Sequence, residues 1–425
     1  MVFAFRNPLS PDRNGLIAGT RAWFGIVAIV AGLTGCGGSI AMNAVSTPVS
    51  ISPASAAVGA TGQLQFTATV AGTSDQAVSW QVDGVPGGNA LVGTISSTGL
   101  YTAPDFPVLA IVSAESRAKP SAMASSYLAV RAQHSIAVRT TGEFAEFFDR
   151  RSGATFVPRG SNYIRRKNQD NTYGDVVNEH STFSVGLYDA SRVESALAHM
   201  QAGGYNVVRV WLSGCCEDSI GDEDGGLSQE YLANVTDFLV RAKNDSVYVV
   251  LTSNWVPKYG GYMQDYGGCS QFSYYNTLNL CAGGVRAARH FFHDLVENLL
   301  EMNAPMEAIF AFELRDDYYY DSDLAPLSWT SGTVTTANGQ TYDMSSAASR
   351  QQMMDDGMVY FVDQVRATIR QLDPTALVDL NFFVPEGPNP VRVGNHHIIQ
   401  AYPSVARSTA DFVGIAPYPA ALTLP

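Results

Sequence analysis

The chain has 425 residues, of which 46% are hydrophobic and 15% are charged, and its formal net charge is −13. The apolar fraction excludes a disordered chain, and the length is that of two or three domains. The negative charge argues against a nucleic-acid partner, because a polyanion would be repelled. The five cysteines are too few for a disulfide-rich miniprotein, and their odd number requires an explanation.

The N-terminal segment predicts a signal peptide. Three arginines precede an apolar run from Ala22 to Leu33, which is too short to span a bilayer but suits the hydrophobic region of a signal. The run ends in LTGC, which resembles a bacterial lipobox with Cys36 as the lipidated residue. We expect residues 1–35 to be removed and residues 36–47 to form a tether. A plain secretory signal with a chance cysteine is the alternative.

This interpretation places the protein outside the cytoplasm. A lipid on Cys36 would anchor the chain to the bacterial outer membrane or cell surface without spanning it, and a periplasmic location is the alternative. The four remaining cysteines are Cys215, Cys216, Cys269 and Cys281. They allow three pairings, and an oxidising compartment favours disulfides over a zinc site.

Residues 48–130 predict an all-β module. Short alternating runs such as Leu64–Val70, Ala77–Val82 and Ala110–Ala114 are separated by glycine-containing turns, as in a β-sandwich. Trp80 lies in the middle of a run and is expected to fill the core between two sheets. The segments ISPASAAVGATGQLQFTATV, VSWQVDG and GTISSTGLYTAP resemble bacterial Ig-like domains of the BIG type. The resemblance implies a spacer or an adhesive module.

Residues 131–425 alternate predicted strands with predicted helices. The strands are Thr155–Tyr163, Asn206–Leu212, Val247–Thr252, Ala308–Leu314, Leu377–Phe383 and Asp411–Ile415, and the helices are 191–204, 230–243, 285–302 and 349–372. This alternation indicates a parallel sheet covered by helices. Polar residues gather where the strands end, which suits a (β/α) barrel with its site at the C-terminal face. No glycine-rich phosphate loop follows the first strand, so a nucleotide-binding fold is disfavoured.

This region resembles the barrel glycoside hydrolases of clan A, closest to the cellulase- and mannanase-like family 5. The matching segments are VPRGSNYIRR, GYNVVRVWLSG, VYVVLTSNWVPKYGGY, AIFAFELRDD and ADFVGIAPYP. The resemblance implies retaining hydrolysis of a β-linked polysaccharide, of the endo-glucanase or mannanase type, with neither metal nor cofactor. The expected fold is therefore an all-β Ig-like sandwich followed by an α/β barrel of the TIM type.

The resemblance also implies roles for individual residues. Arg209 would steady the catalytic carboxylates, and the acid/base glutamate of the family would end the fourth strand. The chain reads ELRDD there, so Asp316 replaces the family's asparagine and Asp317 replaces its glutamate. Aspartate is one methylene shorter than glutamate, and a carboxylate at 316 cannot donate the hydrogen bond that an amide donates. We interpret Asp317 as a weakened acid or, equally, as one of two solvated acids.

Further candidates for contact with substrate lie at or beyond the strand ends, and they are Asn162, Trp211, Trp255, Glu313, Tyr318 and Tyr418. Flat aromatic rings stack on the apolar faces of sugars, although loop aromatics also pack long loops. The adjacent His396 and His397 are interpreted as surface residues, because neighbours on a strand face opposite ways.

The second carboxylate of a retaining pair is not found. Retaining glycosidases need two carboxylates about 5–5.5 Å apart, and in clan A the nucleophile is a glutamate that ends the seventh strand. Glu386 follows the fifth predicted strand and is not assigned to this role. We therefore expect a barrel that lacks strands seven and eight, in a truncated or degenerate chain. Two functions stay open, a glycoside hydrolase and a non-catalytic carbohydrate-binding or adhesive lipoprotein.

Overall fold

The computed structural model describes residues 49–141, 144–165, 167–171, 174–178, 180–214, 219–384, 397–398 and 401–417. The predicted signal and tether lie outside these residues, as do Cys36, Cys215, Cys216, Glu386, His396 and Tyr418. Among the described residues, no helix has both the length and the apolar character needed to cross a membrane.

The N-terminal part consists of short strands that surround one hydrophobic core. They are β1 (Val49–Ser52), β2 (Ser55–Gly59), β3 (Gln63–Gln65), β4 (Thr67–Val70), β5 (Val78–Val82), β6 (Val85–Pro86), β7 (Gly88–Asn89), β8 (Gly93–Ile95), β9 (Leu100–Thr102), β10 (Val108–Ser116) and β11 (Met123–Arg131). One sheet has the order β2-β11-β10-β5-β6, a second has the order β3-β9-β8-β7, and β1 pairs with β4. The strand pairs are antiparallel except β2 with β11.

The core of this part follows from the alternation of each strand. In β10, Ala110, Val112 and Ala114 are buried while Leu109 and Ile111 face outward. The expectation for Trp80 is confirmed, because it is buried and its ring centroid lies 6.5 Å from that of Phe66. The Ig-like assignment of this part and its boundaries at 48 and 130 stay predictions.

The C-terminal part mixes strands and helices. Its strands are β12 (Ile136–Thr141), β13 (Phe144–Asp149), β14 (Gly160–Asn162), β15 (Lys167–Asn171), β16 (Gly174–Asn178), β17 (Val207–Leu212), β18 (Tyr248–Ser253), β19 (Ile309–Glu313), β20 (Tyr320–Asp321), β21 (Thr333–Thr335), β22 (Thr341–Asp343), β23 (Val378–Val384), β24 (His397–Ile398) and β25 (Phe412–Pro417). Its helices are α1 (Ala190–Ala202), α2 (Gln229–Asn244), α3 (Thr277–Leu280), α4 (Ala282–Glu301), α5 (Ala347–Leu372) and α6 (Ala401–Arg407).

Six strands form one parallel sheet in the order β14-β17-β18-β19-β23-β25, which confirms the predicted alternation of strands and helices. Within the described residues, β14 and β25 do not pair with each other, so the sheet is an open half-barrel. The first strand is shorter than predicted. Pro158 cannot donate to a strand ladder, and Thr155 forms an isolated bridge with Phe148 instead.

The sheet has two differently covered faces. The helices α1, α2, α4 and α5 pack on one face through a large apolar cluster that includes Val208, Phe291 and Phe361. On the other face, the starts of the strands are covered by the hairpin β12–β13. Within that contact, the Phe147 ring lies 5.0 Å from the Phe412 ring. The ends of the strands on this second face are left for polar side chains.

A buried polar pair fixes the segment that leads from the N-terminal part to the sheet. The ring nitrogens of His134 lie 2.9 Å from the carbonyl oxygen of Ile309 and 2.6 Å from a carboxylate oxygen of Asp373. Burial lowers the pKa of His134, but the Asp373 charge and hydrogen bond, with the Ile309 carbonyl, raise it above its ordinary value. The chain from Thr47 to Pro425 forms one compact unit.

Candidate functional site

A row of side chains crosses the sheet near the C-terminal ends of its strands. Trp211 in β17 lies opposite Thr252 in β18. Thr252 in turn lies opposite Glu313 in β19, and Glu313 lies opposite Asp379 in β23. Arg209 comes two residues before Trp211 and therefore shares its face of the sheet. The register thus gathers residues that are far apart in the sequence.

Each strand changes from apolar to polar along this face. Val207, Val250, Ala311 and Leu377 belong to the apolar cluster beneath the hairpin. Two residues later on the same strands come Arg209, Thr252, Glu313 and Asp379. Because side chains of a strand alternate between faces, this spacing stacks a polar layer on the apolar one.

Arg209 joins two carboxylates at the centre of the polar layer. Its Nη2 donates to Oε1 of Glu313 and, over 2.5 Å, to Oδ1 of Asp316. Its Nε donates to Oε2 of Glu313 over 3.0 Å. The structure therefore brings together three of the residues predicted for the site.

The electrostatics of this group are set by burial. Burial raises the pKa of Glu313 to about 7, although the Arg209 charge acts in the opposite direction. Burial also raises the pKa of Asp379 well above its ordinary value, and the nearby Glu313 charge adds to this shift. Burial lowers the pKa of Arg209, but the charges of Glu313 and Asp316 raise it overall. Arg209 thus stays a cation, and burial favours the protonated form of Asp379.

Asp316 is held by a second donor. The indole Nε1 of Trp211 donates to its Oδ2 over 2.6 Å, and the Arg209 guanidinium lies 4.4 Å from the Trp211 ring centroid. The His180 ring stacks on the Trp211 ring, with centroids 5.5 Å apart. The Nδ1 of His180 lies 3.0 Å from the side-chain nitrogen of Asn254. Both carboxylate oxygens of Asp316 therefore accept hydrogen bonds from the protein.

Asp317 lies in a sharp turn directly after β19. Its φ is +45°, in the left-handed region that aspartate tolerates better than most residues with a side chain. The main-chain nitrogen of Asp316 donates to the carbonyl oxygen of Ser253 over 2.9 Å. The turn, and no longer the strand, therefore sets the direction of the Asp317 side chain, which is half-buried. Its role as an acid stays a prediction.

Aromatic side chains from two loops border this group. Trp255, which follows β18, stacks on Tyr274 with ring centroids 5.2 Å apart. Tyr275 meets Trp255 edge-on and lies 4.4 Å from Tyr319, which follows β19. A disulfide between Cys269 and Cys281 closes the first of these loops. The predicted presence of a disulfide among the four cysteines is confirmed for this pair.

Two other predicted residues lie apart from the Arg209 group. Asn162 is exposed at the end of β14, where its backbone is in register with Arg209. Tyr318 is buried, and its ring packs against those of Tyr320 and Phe382. The structure therefore gives no support to a substrate contact by Tyr318, which stays a prediction.

The sequence analysis missed three polar residues of the site. Asp379 and Asn381 are buried in β23, and the signal that could have found them is the interruption of the apolar run by two polar residues in VDLNFF. His180 precedes the helices, and no pattern in the sequence marks it. Among the described residues, a possible metal-ligand group is formed by His293, Asp294 and Glu297 on α4, not by the strand ends.

No protein-family model matches the chain, and no curated protein matches it. Among solved structures, the chain is similar to an endo-1,4-β-mannanase from Rhizomucor miehei, with 17% identity, a TM-score of 0.44, and coverage of 68% of this chain and 73% of that one. A β-mannanase from Mytilus edulis has 16% identity and a TM-score of 0.36, with coverage of 59% of this chain and 64% of that one. An exo-β-1,4-mannosidase from an Opitutaceae bacterium has 14% identity and a TM-score of 0.39, with coverage of 66% of this chain and 41% of that one. The chain thus spans less than two thirds of the second and third proteins.

Proposed function

We propose that the protein is a glycoside hydrolase-like protein that acts on a β-linked polysaccharide. One observation carries the proposal: Arg209 holds Glu313 and Asp316 at the C-terminal ends of parallel strands, inside a border of aromatic side chains. The sequence segments that resemble the barrel glycoside hydrolases of clan A contribute these same residues. The substrate is bound by stacking on the exposed aromatic rings and by hydrogen bonds to the carboxylates.

The chemistry requires a proton donor next to a fixed anion. In this proposal Asp317 protonates the leaving glycosidic oxygen as its bond to the anomeric carbon breaks, a water molecule bonds to that carbon, and the proton that the water loses returns Asp317 to its acid form. Asp316 accepts a hydrogen bond from a sugar hydroxyl. Arg209 is a positioning residue, because it acts through the carboxylates that it holds. Burial raises the pKa of Asp379 well above its ordinary value, which opposes a further negative charge beside Glu313.

Non-catalytic binding of the same polysaccharides is the second candidate function. The observation that favours it is the state of Asp316, whose two oxygens already accept hydrogen bonds from Arg209 and Trp211. In addition, Asp317 is a shorter acid than the glutamate of the resembling family. A protein of this kind would bind glycans through the aromatic border and release them unchanged.

An activity assay separates the two functions. The purified chain is incubated with β-mannan and β-glucan, with an α-glucan as the negative substrate, and released reducing ends are measured. Asp317→Ala is compared with Asp105→Ala, which removes an exposed acid of the N-terminal part. Turnover that Asp317→Ala abolishes and Asp105→Ala preserves supports the hydrolase. Binding without turnover supports the second function, and the absence of both contradicts the proposal.

We also propose that the protein is a surface lipoprotein whose Ig-like module spaces the sheet from the membrane. The support is the LTGC sequence after the apolar run, together with the segments that resemble BIG-type domains. Expression in a bacterium followed by mass spectrometry of the mature N-terminus tests it. A diacylated Cys36 that is lost in Cys36→Ser is the expected result, and an unmodified secreted chain would contradict it.

A further inference from the structure

Arg315 is a buried cation whose role the proposed function does not use. It lies two residues after the end of β19, and it is only 6% exposed. Its Nη1 is buried and has no hydrogen-bond partner among the described residues. Its neighbour Asp316 is already held by Arg209 and Trp211. A guanidinium carries five donors in a planar fork, so this side chain retains unused capacity for hydrogen bonding.

The surroundings of Arg315 are aromatic. Its guanidinium carbon lies 4.1 Å from the centroid of the Trp255 ring and 5.5 Å from that of Tyr275. Cation–π contact lowers the cost of burying the charge but leaves Nη1 without an acceptor. Tyr274, which stacks on the Trp255 ring of this aromatic cage with centroids 5.2 Å apart, is 61% exposed, so solvent reaches the ring next to Trp255.

This combination indicates what the cage recognises. A buried guanidinium nitrogen without an acceptor gains most from a planar or tetrahedral oxyanion, which accepts charge-assisted and often paired hydrogen bonds. A neutral sugar offers only hydroxyl groups, which form weaker bonds to a cation. The aromatic rings beside Arg315 supply the stacking surface that a sugar ring needs. One ligand that carries both features is a sugar with an acidic substituent.

We propose that Arg315 is the recognition residue for an oxyanion carried by the bound glycan, so that the substrate is an acidic β-linked polysaccharide. The oxyanion is a uronate carboxylate or a sulfate ester. This inference rests on the proposed function, since it names the substrate class of the same site. Arg315 acts as a specificity-determining residue here, and the Arg209 group remains the place of the chemistry.

Calorimetric titration of the full chain tests the substrate class. The probes are three matched β-1,4-linked oligosaccharides, namely a neutral one, one of glucuronate units and one bearing sulfate esters. We expect one of the acidic probes to bind at least about tenfold more tightly than the neutral one, because a charge-assisted hydrogen bond changes the affinity by about that factor. The acidic probe that binds more tightly identifies the oxyanion. Added salt should weaken its binding and leave the neutral probe unchanged.

Variants then assign the preference to Arg315. Arg315→Met should reduce the ratio of acidic to neutral affinity to about one, and Arg315→Lys should restore part of that ratio because the charge returns. Arg151→Met, which removes an exposed arginine, is the matched control. If Arg315→Met fails to fold, Arg315→Lys assigns the preference: this variant should weaken the preference because the planar fork is lost, and an unweakened preference overturns the role of Arg315.

The failure of this inference is distinct from that of the proposed function. Equal binding of neutral and acidic probes overturns the role of Arg315 and leaves a glycan site in place. A preference for the acidic probe that persists in Arg315→Met also overturns it. Absence of binding by every probe contradicts the proposed function itself.

Discussion

Replacement of Asp373 by asparagine should destabilise the protein strongly and in a pH-dependent way. The side chains of His134 and Asp373 are 1% and 2% exposed, and a carboxylate oxygen lies 2.6 Å from the imidazole Nε2. Asp373→Asn keeps the shape but removes the charge that stabilises the imidazolium. Loss of one partner of a buried ion pair costs about 3–5 kcal/mol. We expect Asp373→Asn to lower the free energy of unfolding by an amount in this range.

The pH dependence has a definite sign. Burial lowers the pKa of His134, but the charge and hydrogen bond of Asp373, the Ile309 carbonyl and, more weakly, the Glu307 charge together raise it above its ordinary value. Its stabilising contribution is therefore fully present below the unfolded pKa of about 6.5 and is lost as the pH rises through the folded pKa. The difference between the unaltered chain and Asp373→Asn should be largest near about pH 6 and should shrink towards about pH 9.

Urea denaturation at both pH values measures this difference, with an unchanged slope as the sign that only stability has changed. The double variant His134→Gln/Asp373→Asn completes a cycle and should recover part of the loss, because no buried group is then left without its partner. Asp105→Asn, at an exposed position, should lie within about 0.5 kcal/mol of the unaltered chain. A loss below about 1 kcal/mol for Asp373→Asn near pH 6, or an identical loss at both pH values, would refute the reasoning.

Three further predictions concern the sheet and its loops. Asp379→Asn should stabilise the chain at neutral pH. The pKa of Asp379 is raised in the folded chain, so the stability that this carboxyl contributes is present below about pH 3.9 and is lost as the pH rises. In the variant, urea midpoints should therefore depend less on pH than in the unaltered chain, and an equal pH dependence would contradict this. Arg209→Met should cost about 3 kcal/mol in thermal unfolding, whereas Arg139→Met, which breaks an exposed pair with Glu146, should cost under about 1 kcal/mol; equal losses would contradict the burial argument. Cys269→Ser/Cys281→Ser opens a loop with a separation of 12 residues and should cost about 3 kcal/mol by urea denaturation, and no loss would show that the loop is held by its packing.

The alternation of elements could be predicted because it is a local property. Most of the parallel strands are largely apolar runs. The helices carry their own stop and start signals, such as Ser228, whose side chain accepts from the Tyr231 nitrogen at the start of α2. The hairpin β12–β13 was not predicted. Its signal is the dipeptide Gly142-Glu143 between two short runs of strand-forming residues, and its value to the fold lies in the contact of Phe147 with residues of distant strands.

The contacts of the site depend on strand register, which the sequence does not display. Arg209 and Glu313 are 104 positions apart, and only the pairing of β17, β18 and β19 places them together. The resemblance named Arg209, Asp316 and Asp317, but it did not indicate that Trp211 would donate to Asp316 or that Arg315 would be caged by Trp255. Trp255, Arg315 and Asp316 lie in the loops after β18 and β19, and the sequence does not display the course of these loops.

The most direct test of the central claim is whether the exposed aromatic border binds a β-linked glycan. Calorimetric titration with a β-1,4-linked oligosaccharide, in the form that the unaltered chain binds best, compares Tyr274→Ala with Tyr127→Ala. Both tyrosines are exposed, at 61% and 72%, but only Tyr274 stacks on Trp255 beside the Arg209 group. The account predicts a loss of about tenfold in affinity for Tyr274→Ala and no change for Tyr127→Ala. Equal affinities for both variants, or no binding by the unaltered chain, would contradict it.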